Sequence, residues 1–504
     1  MGIAIGIGLA LVGALGGGVV EEDETPALEE LVRAKEPAVR RRAVRDLAAR
    51  GGREAWTLVL EALGDPKGEV ADEAQFLLAG LDEARVRRDL LGSKGLGSRD
   101  ALLRRRVAEL LGRFEGEVET RELLGRLDRR DPRLSELLLW SVERAARRGR
   151  LGGKLARCGR DLAKLAKSGA ATRVRAQAVR ALGEVDPAIL KEVAGKLRRD
   201  RVPEVRLALL EVLVRQEPER AIELGEAALD DGHPAVRLAA LDAVAAAGLR
   251  RSLELLAGRL EHEPRFRLQV ACVEHLQGLS GMKYKLDPRP WQLWISKLPA
   301  DWTVADRRRT QAVVGETASL AGLPILSDRV AFLVDFSGSL WFEREGRPPR
   351  KLQVDELMRA ALPRLREGAR FNVMPYTGTP HPWREHLVDA TPKNVRVALA
   401  DFEACTEKGS GNVFDAVLLA LEDPEVDRVV ILTDGAPTGG AHWKLDLMMP
   451  MLVQAARLRR VAYDAIVVDA RPGLRRRWFA LAEATGGRAV AVDTDKGDLD
   501  RASR

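Results

Sequence analysis

The chain has 504 residues, which is long enough for two or more domains with sizeable cores. It is rich in charge (31%) and poor in aromatic residues (4%), and its net charge of +7 is small for this length. A mild excess of this kind is typical of a solvated basic surface, and no zinc-finger, RRM or KH signature is present. Specific nucleic-acid binding is therefore not expected. The three cysteines are far apart and show no CxxC spacing, which argues against a disulfide framework.

The N-terminal segment is apolar. Residues 2–20 contain no charged side chain, and residues 21–24 are all acidic. A stretch of this length is typical of a secretory signal or of an uncleaved membrane anchor, although the usual positive n-region is absent. A buried core helix is the alternative. Residues 1–22 are therefore predicted to export the protein to the periplasm or cell envelope, with residues 3–20 as an anchor if they are retained, and to make its only membrane contact.

Residues 26–282 contain a repeat with a period of about 30 residues. The clearest units begin Pro37-Ala-Val-Arg40, Pro203-Glu-Val-Arg206 and Pro234-Ala-Val-Arg237, and an Ala- and Leu-rich run with helical spacing follows each. Proline suits the first turn of a helix, because its missing N–H would be unpaired there anyway. Two helices in each unit predict an α-solenoid of about eight units that ends near Leu279.

These units resemble the short bacterial form of the HEAT repeat family, in which a Val-Arg pair after the proline is common. The resemblance implies a curved scaffold with an extended binding surface, and it names no ligand. One arginine recurs at the same place in the repeat, and we expect it to pair with a carboxylate or carbonyl group of a neighbouring repeat. The arginines concerned are Arg40, Arg175, Arg206, Arg237 and Arg267.

Residues 283–327 differ in composition from the repeats. They are rich in turn-forming residues, and Trp291, Trp294 and Trp302 lie close together in them. Such an aromatic group can stack on a sugar, but packing across a domain junction is the favoured interpretation. Residues 307–320 are predicted to form a helix. The whole segment is therefore expected to be a packed connector.

Two apolar runs in the C-terminal third of the chain each end in an aspartate. The first leads into Asp335-Phe336-Ser337-Gly338-Ser339, and the second, residues 429–432, leads into Thr433-Asp434-Gly435. Neighbouring parallel strands of a doubly wound sheet would bring both aspartates to one crevice beyond the strand ends. Because hard divalent cations prefer oxygen ligands, the two carboxylates and two hydroxyls predict a metal site. Aspartates that only cap turns are the alternative.

At these residues the chain resembles the von Willebrand factor A (VWA) domain family, over residues 328–495. A DxSxS motif followed by a strand that ends in (T/S)DG is the metal-ion-dependent adhesion site of that family. The resemblance implies a doubly wound α/β fold with Asp335, Ser337, Ser339 and Asp434 as metal ligands. The family's Gly-Gly-Thr-Asn loop corresponds to Gly409-Ser410-Gly411-Asn412, so Gly411 stands in place of a ligand threonine. Ser410 is therefore added to the predicted ligands, and Mg²⁺, with Ca²⁺ or Mn²⁺ as alternatives, is expected to bind weakly.

The chain is thus predicted to be multidomain, with an all-α HEAT-like solenoid, a connector, an α/β VWA domain and a short tail at residues 496–504. No catalytic constellation is found. The predicted function is that of a non-enzymatic, exported scaffold whose VWA domain binds an acidic residue of a protein partner through the cation, while the solenoid offers a second surface. An assembly or remodelling subunit that works with an ATPase is the first alternative. A metal-dependent hydrolase is the second, and it lacks an evident general base.

Overall fold

The computed structural model describes residues 25–81, 84–152, 155–168, 171–304, 315, 317–342 and 349–493. The predictions for the N-terminal segment and for the tail at residues 496–504 lie outside these residues. Within the described ranges, no helix is both long enough and apolar enough to cross a membrane.

The N-terminal region consists of sixteen described helices with two very short strands between them. The helices are α1 (Thr25–Leu31), α2 (Pro37–Arg50), α3 (Arg53–Glu61), α4 (Gly68–Ala79), α5 (Ala84–Leu91), α6 (Ala101–Leu111), α7 (Thr120–Gly125), α8 (Pro132–Arg147), α9 (Leu155–Lys167), α10 (Thr172–Val185), α11 (Pro187–Leu197), α12 (Pro203–Gln216), α13 (Ala221–Glu226), α14 (Pro234–Ala247), α15 (Arg250–His262) and α16 (Phe266–Ser280). The strands β1 (Val118–Glu119) and β2 (Leu151–Gly152) form a parallel pair.

The even-numbered helices from α2 to α16 form one continuous row, in which each helix contacts the next. Their interiors are almost fully buried; in α14, for example, Leu241 and Val244 have no exposed surface. Proline begins α2, α8, α12 and α14, as its tolerance of the first helical position requires. The eight helices of this row in the described residues agree with the predicted solenoid of about eight units.

The recurring arginines mostly join one repeat to the next. Arg40 Nε donates to Asp65 Oδ2 at 2.7 Å, and Arg206 Nε donates to Asp231 Oδ2 at the same distance. Two further pairs, Arg175 with Asp200 and Arg237 with Glu263, repeat the contact. In each pair the carboxylate follows its arginine by 25 or 26 residues, about one repeat later. The predicted structural role is confirmed for these four residues.

Arg267 is the exception, because no repeat follows its own. It donates instead to the backbone carbonyls of Asp427 and Arg460, which belong to the C-terminal α/β domain. The arginine that ties repeats together is thus used once to tie the solenoid to the next domain.

The connector is packed against the last repeats, as expected. Helix α17 (Pro288–Ser296) contacts α15, and Trp291 is completely buried, with its indole N–H donating to the carbonyl of Lys285 at 2.8 Å. Trp294 and Trp302 pack edge to face with their ring centroids 6.3 Å apart. These contacts support packing over sugar stacking.

The predicted helix at residues 307–320 is wrong at its C-terminal end. Ser319–Leu320 form strand β3, which pairs antiparallel with β4 (Leu323–Pro324). Ala321 and Gly322 between them both have positive φ angles, the backbone of a tight two-residue hairpin turn. Residues 305–314 and 316 lie outside the described part.

The C-terminal domain is built around a six-stranded sheet with the order β10-β9-β8-β5-β6-β7, in which only the edge strand β7 is antiparallel. Its elements in chain order are β5 (Arg329–Asp335), α18 (Arg350–Ala361), β6 (Arg370–Tyr376), β7 (Val388–Asp389), α19 (Pro392–Ala404), α20 (Val413–Ala420), β8 (Arg428–Thr433), α21 (Leu445–Arg457), β9 (Ala462–Val468), α22 (Pro472–Ala484) and β10 (Ala489–Val492). The chain is therefore multidomain, an α-solenoid followed by a doubly wound α/β domain.

Successive residues of β5 alternate between two apolar cores, because side chains of a strand point to opposite faces. Val330 and Phe332 pack with α18 and α19, whereas Ala331 and Leu333 belong to the core shared by α20, α21 and α22. This second core is continuous with that of the solenoid. The sheet is therefore covered by helices on both faces, and the solenoid packs behind one of them.

The row of even-numbered helices contacts the α/β domain from α4 to α16. Lys444 pairs with Glu73 at 3.1 Å near one end, and Arg488 pairs with Glu274 at 2.6 Å near the other. Between them, Gln454 and Gln177 form a buried amide–amide hydrogen bond of 2.7 Å. This surface of the solenoid is therefore occupied by the chain's own second domain.

Candidate functional site

The two motif aspartates lie side by side, because their strands are neighbours. β5 and β8 are parallel, with Val334 opposite Leu432, so Asp335 and the Thr433-Asp434 pair extend beyond the same edge of the sheet. Thr433 Oγ1 donates a hydrogen bond of 3.0 Å to Asp335 Oδ2. The two strand ends therefore meet at one edge of the sheet, as expected from the sequence.

The turn after β5 brings both serines to the same place. The backbone N–H of Ser337 donates to Asp335 Oδ1 at 2.9 Å, which fixes the turn around the carboxylate. The hydroxyls of Ser337 and Ser339 are 3.1 Å apart, and the Ser339 hydroxyl donates to Asp434 Oδ2. Four of the five predicted ligands thus form one hydrogen-bonded group.

No cationic side chain in the described part of the chain pairs with the carboxylates of this group. Neither Asp335 nor Asp434 makes an ion pair with any residue in the described ranges. The guanidinium of Arg350 reaches the carbonyl of Ser339 at 3.4 Å, but its ion pair is with Asp469. Burial, with a further contribution from the charge of Asp434, raises the pKa of Asp335 to about 6. The site is therefore a place where a positive charge from outside the chain would be favourable.

Parts of the chain are similar to known proteins. The family model for HEAT repeats matches residues 190–277. A 127-residue part of the chain is 31% identical to inter-alpha-trypsin inhibitor heavy chain H3 of Homo sapiens, covering 23% of this chain and 14% of that protein. The chain thus spans only about a seventh of this curated relative.

Two solved structures are also similar. A von Willebrand factor type A protein from Catenulispora acidiphila matches with 17% identity and a TM-score of 0.30, over 36% of this chain and 42% of its own. The RO (RSR) protein of Deinococcus radiodurans matches with 15% identity and a TM-score of 0.22, over 98% of this chain and 95% of its own. The chain thus combines a solenoid that matches the HEAT repeat model over residues 190–277 with a doubly wound α/β domain of the predicted kind.

A third loop of the candidate site, residues 409–412, lies beside the strand tips. It contains Gly411, which stands where the resemblance to the VWA family expects a ligand threonine. A Cβ atom built on Gly411 would lie 3.2 Å and 3.3 Å from the two carboxylate oxygens of Asp335. A side chain at this position would therefore face the site directly. This is the position at which the sequence resemblance expects a ligand threonine.

Ser410 is placed differently. Its hydroxyl lies beside Gly378 and Gly439, so close that a Cβ on Gly439 would be 2.4 Å from it. In the described part of the chain it makes no hydrogen bond with Asp335 or Asp434. Its role as a ligand stays a prediction, and this geometry gives it no support.

Sequence reasoning missed three groups at this site. Thr433 holds Asp335 in place, and the hydroxyl of Thr438 accepts the backbone N–H of Gly411 at 2.7 Å. Tyr376, opposite Asp335 in the β5–β6 ladder, is fully buried, and its hydroxyl has no hydrogen-bond partner among the described residues. Burial, together with the charge of Asp335, raises the pKa of Tyr376 well above its usual value. The TDG motif could have indicated Thr433. No sequence signal indicated Thr438 or Tyr376, because only the fold brings them to the site.

The residues present fit a hard divalent cation. Two carboxylates and two hydroxyls converge, and the buried hydroxyl of Tyr376 lies beside Asp335 and Thr433. No group of three or more His, Cys, Asp or Glu side chains arranged to hold a metal occurs in the described residues. A cation here would therefore depend on hydroxyls and water as well as on the carboxylates, which is the coordination that Mg²⁺ accepts.

Proposed function

We propose that this chain is an exported, non-enzymatic interaction scaffold whose VWA domain binds a protein partner through a divalent cation, preferably Mg²⁺. Asp335, Ser337, Ser339 and Asp434 hold the cation, directly or through water, and an acidic side chain of the partner completes the coordination. The observation that carries the proposal is the meeting of two strand-tip carboxylates and two hydroxyls, with which no cationic side chain of the described residues is paired.

The residues of the site have separate tasks in this proposal. Thr433 and the Ser337 N–H each occupy one oxygen of Asp335 and so fix the direction of its carboxylate. Ser339 links the turn after β5 to Asp434 and keeps the two strand tips together. The cation, when bound, supplies the positive charge that attracts a carboxylate of the partner. Because Gly411 contributes no oxygen, binding is expected to be weak.

The cellular location follows from the sequence alone. An uncharged stretch at residues 2–20 followed by acidic residues supports export to the cell envelope. The second binding surface predicted for the solenoid is assigned to its odd-numbered helices, because the even-numbered row contacts the VWA domain.

Calorimetric titration of the full chain with Mg²⁺, Mn²⁺ and Ca²⁺ tests the site. The wild type should bind one cation, and Asp335→Ala should abolish binding without loss of helical CD signal. Asp446→Ala is the matched control, since it removes one exposed carboxylate of the same domain that pairs with Arg477. Absence of binding by the wild type for all three ions would overturn the metal-dependent function.

Capture of proteins from an envelope fraction, with Mg²⁺ and again with EDTA, tests the partner. The expected partner is retained only with Mg²⁺ and is lost with Asp335→Ala. If the partner is retained equally with EDTA and by Asp335→Ala, the domain binds it through its surface without a cation. Fractionation that finds the full-length protein only in the cytosol would contradict export.

A further inference from the structure

A second group of buried charges lies where the VWA domain meets the solenoid. His442 of the VWA domain is 2% exposed, with its Nδ1 3.0 Å from Asp72 Oδ1 of α4 and its Nε2 3.4 Å from Glu109 Oε2 of α6. Arg106 of α6 donates to the same Asp72 oxygen at 2.8 Å. We call Asp72, Arg106, Glu109 and His442 the junction cluster.

The junction cluster holds one end of the loop that begins at the metal site. This loop, residues 434–444, runs from Asp434 to the start of α21. At its far end Asp72 Oδ2 accepts the backbone N–H groups of Trp443 at 2.6 Å and Lys444 at 2.8 Å, and Arg106 donates to the carbonyl of Ala441. A carboxylate of the solenoid thus holds the two residues that precede α21.

The middle of the same loop lies against the third loop of the metal site. Thr438 and Gly411 exchange two hydrogen bonds, from the Gly411 N–H to the Thr438 hydroxyl at 2.7 Å and from the Thr438 N–H to the Gly411 carbonyl at 3.1 Å. Gly411 is the residue whose Cβ position faces Asp335. The loop therefore touches both the solenoid and the loop that borders the predicted ligands.

Gly440 is tightly packed between the third loop on one side and the start of α4 on the other. Its φ angle is +81°, and a Cβ added to it would lie 1.9 Å from the amide oxygen of Asn412 in the third loop. On the other side, a Cβ added to Gly68 at the start of α4 would lie 2.5 Å from the Gly440 carbonyl oxygen. If α4 moves towards Gly440, residues 411–412 must therefore move as well, or the contacts of Gly440 with Gly68 and Asn412 must break.

From these contacts we infer that Asp72 is a positioning residue for the cation site, and that docking of the first solenoid repeats and cation binding stabilise each other. The inference rests on the proposed function, because it needs a cation to bind. Its physical basis is that Asp72 fixes residues 441–444, which in turn press Thr438 and Gly440 against the third loop. Linkage makes the effect reciprocal, so that cation binding must also strengthen the docking.

The test is calorimetric titration of the full chain with Mn²⁺ and Mg²⁺. Asp72→Ala should weaken cation binding about tenfold, within the range usual for coupled sites. Asp72→Asn, which keeps an acceptor for the N–H groups of Trp443 and Lys444, should restore much of the affinity. Gly68→Ala should weaken binding as well, since its Cβ would displace the backbone at Gly440.

Asp242→Asn is the matched control, because it removes an interdomain ion pair with Arg460 that lies away from the loop. It should leave the cation affinity within about twofold of the wild type, since a site without shared contacts does not couple. The reciprocal readout is hydrogen exchange of α4 and α6, which should slow when Mn²⁺ is added to the wild type and not to Asp335→Ala.

The outcomes separate the two proposals. A wild type that binds no cation overturns the proposed function. A wild type that binds, with Asp72→Ala and Gly68→Ala folded and unchanged in affinity, overturns the positioning role alone. An equal loss of affinity in Asp72→Ala and Asp242→Asn would also overturn it, because it would show a general effect of weakened docking. If Asp72→Ala does not fold, Asp72→Asn and Gly68→Ala decide.

Discussion

The strand-tip site and the junction cluster each contain two carboxylates, and their charges are balanced in opposite ways. Asp335 at the strand tips is buried and Asp434 is half-buried, whereas Asp72 and Glu109 of the junction cluster are both buried. In the junction cluster, burial alone would raise the pKa of Asp72, but the hydrogen bond and charge of His442 and the charge of Arg106 lower it below its usual range. The pKa of Glu109 is lowered by the same two neighbours. At the strand tips, burial raises the pKa of Asp335 and Asp434 raises it further.

The opposite pKa shifts indicate different roles for the junction cluster and the strand-tip site. Buried charges are retained at low cost only when they are paired and hydrogen-bonded, and the junction cluster meets this condition with its own cations. It is a closed structural contact. The strand-tip site leaves its negative charge open to an external cation, which is how a binding site differs from an interdomain ion pair.

The largest effect is expected from Arg106→Ala, which would make the junction cluster resemble the strand tips. Arg106 is 4% exposed, and its loss removes the ion pair with Asp72 and leaves His442 and Arg113 to balance the two carboxylates. Removal of one partner of a buried ion pair typically costs about 3–5 kcal/mol. Urea unfolding of the full chain should show this loss, whereas Arg42→Ala, in an exposed pair with Asp46, should cost under about 1 kcal/mol. If both variants lose under about 1 kcal/mol in free energy of unfolding, the buried charges of the junction cluster are not balanced by Arg106 as described.

Asp434→Asn should have a smaller effect of opposite sign. It removes the carboxylate that raises the pKa of Asp335, while the amide oxygen can still accept the Ser339 hydroxyl. In EDTA the free energy of unfolding should rise by about 1 kcal/mol at neutral pH, since a pKa shift of one unit corresponds to about that energy. In excess Mg²⁺ the wild type should regain the difference, because only it binds the ion. Destabilisation in EDTA would show that the two carboxylates do not repel.

The pH dependence of stability should reveal His442. Burial alone would lower its pKa, but Glu109 and Asp72 outweigh burial and Arg106 and raise it above the ordinary value of 6.5. The stabilisation from His442 is therefore fully present below about pH 6.5 and is lost as the pH rises through the higher value of the folded state. His442→Gln should remove this alkaline loss from urea unfolding measured between pH 6 and 9. His386→Gln, at an exposed histidine, should leave it unchanged. An identical profile for wild type and His442→Gln would contradict the assignment.

The smallest effect is expected from Gly411→Thr, which adds a hydroxyl to the open site. If the third loop is placed as the resemblance to the VWA family implies, the cation affinity should rise about fivefold. The reason is that the threonine hydroxyl replaces a water as an oxygen ligand. The new Cβ would lie 3.2 Å from an Asp335 oxygen, so the loop must shift by a few tenths of an ångström. Gly411→Ala is the control, because it adds the Cβ without the hydroxyl and should not tighten binding. Equal affinities of the two variants in calorimetry would show that the threonine hydroxyl does not reach the cation.

Much of the fold could be predicted because its signals are local. A buried strand that ends in Asp335-Phe336-Ser337 is recognisable from a run of ten residues, and the pairing of Arg40 with Asp65 follows from the spacing of one repeat. The hairpin at Ser319–Leu320 was missed, since a positive φ at Ala321 is unusual for a residue other than glycine. The role of Arg267 was missed because its partners lie 160 and 193 residues away.

By itself the sequence determined the two kinds of domain, the repeat contacts and four side chains of the candidate site, because each depends on residues within one repeat or on one strand and its turn. Only the tertiary structure decided that the Ser410 hydroxyl lies beside Gly378 and Gly439, that the Thr438 hydroxyl accepts the Gly411 N–H, and that Asp72 and His442 meet across 370 residues of chain. Such contacts depend on how the solenoid packs against the sheet. Packing of this kind is set by the sum of many apolar contacts between the two domains, and no short stretch of sequence carries that information.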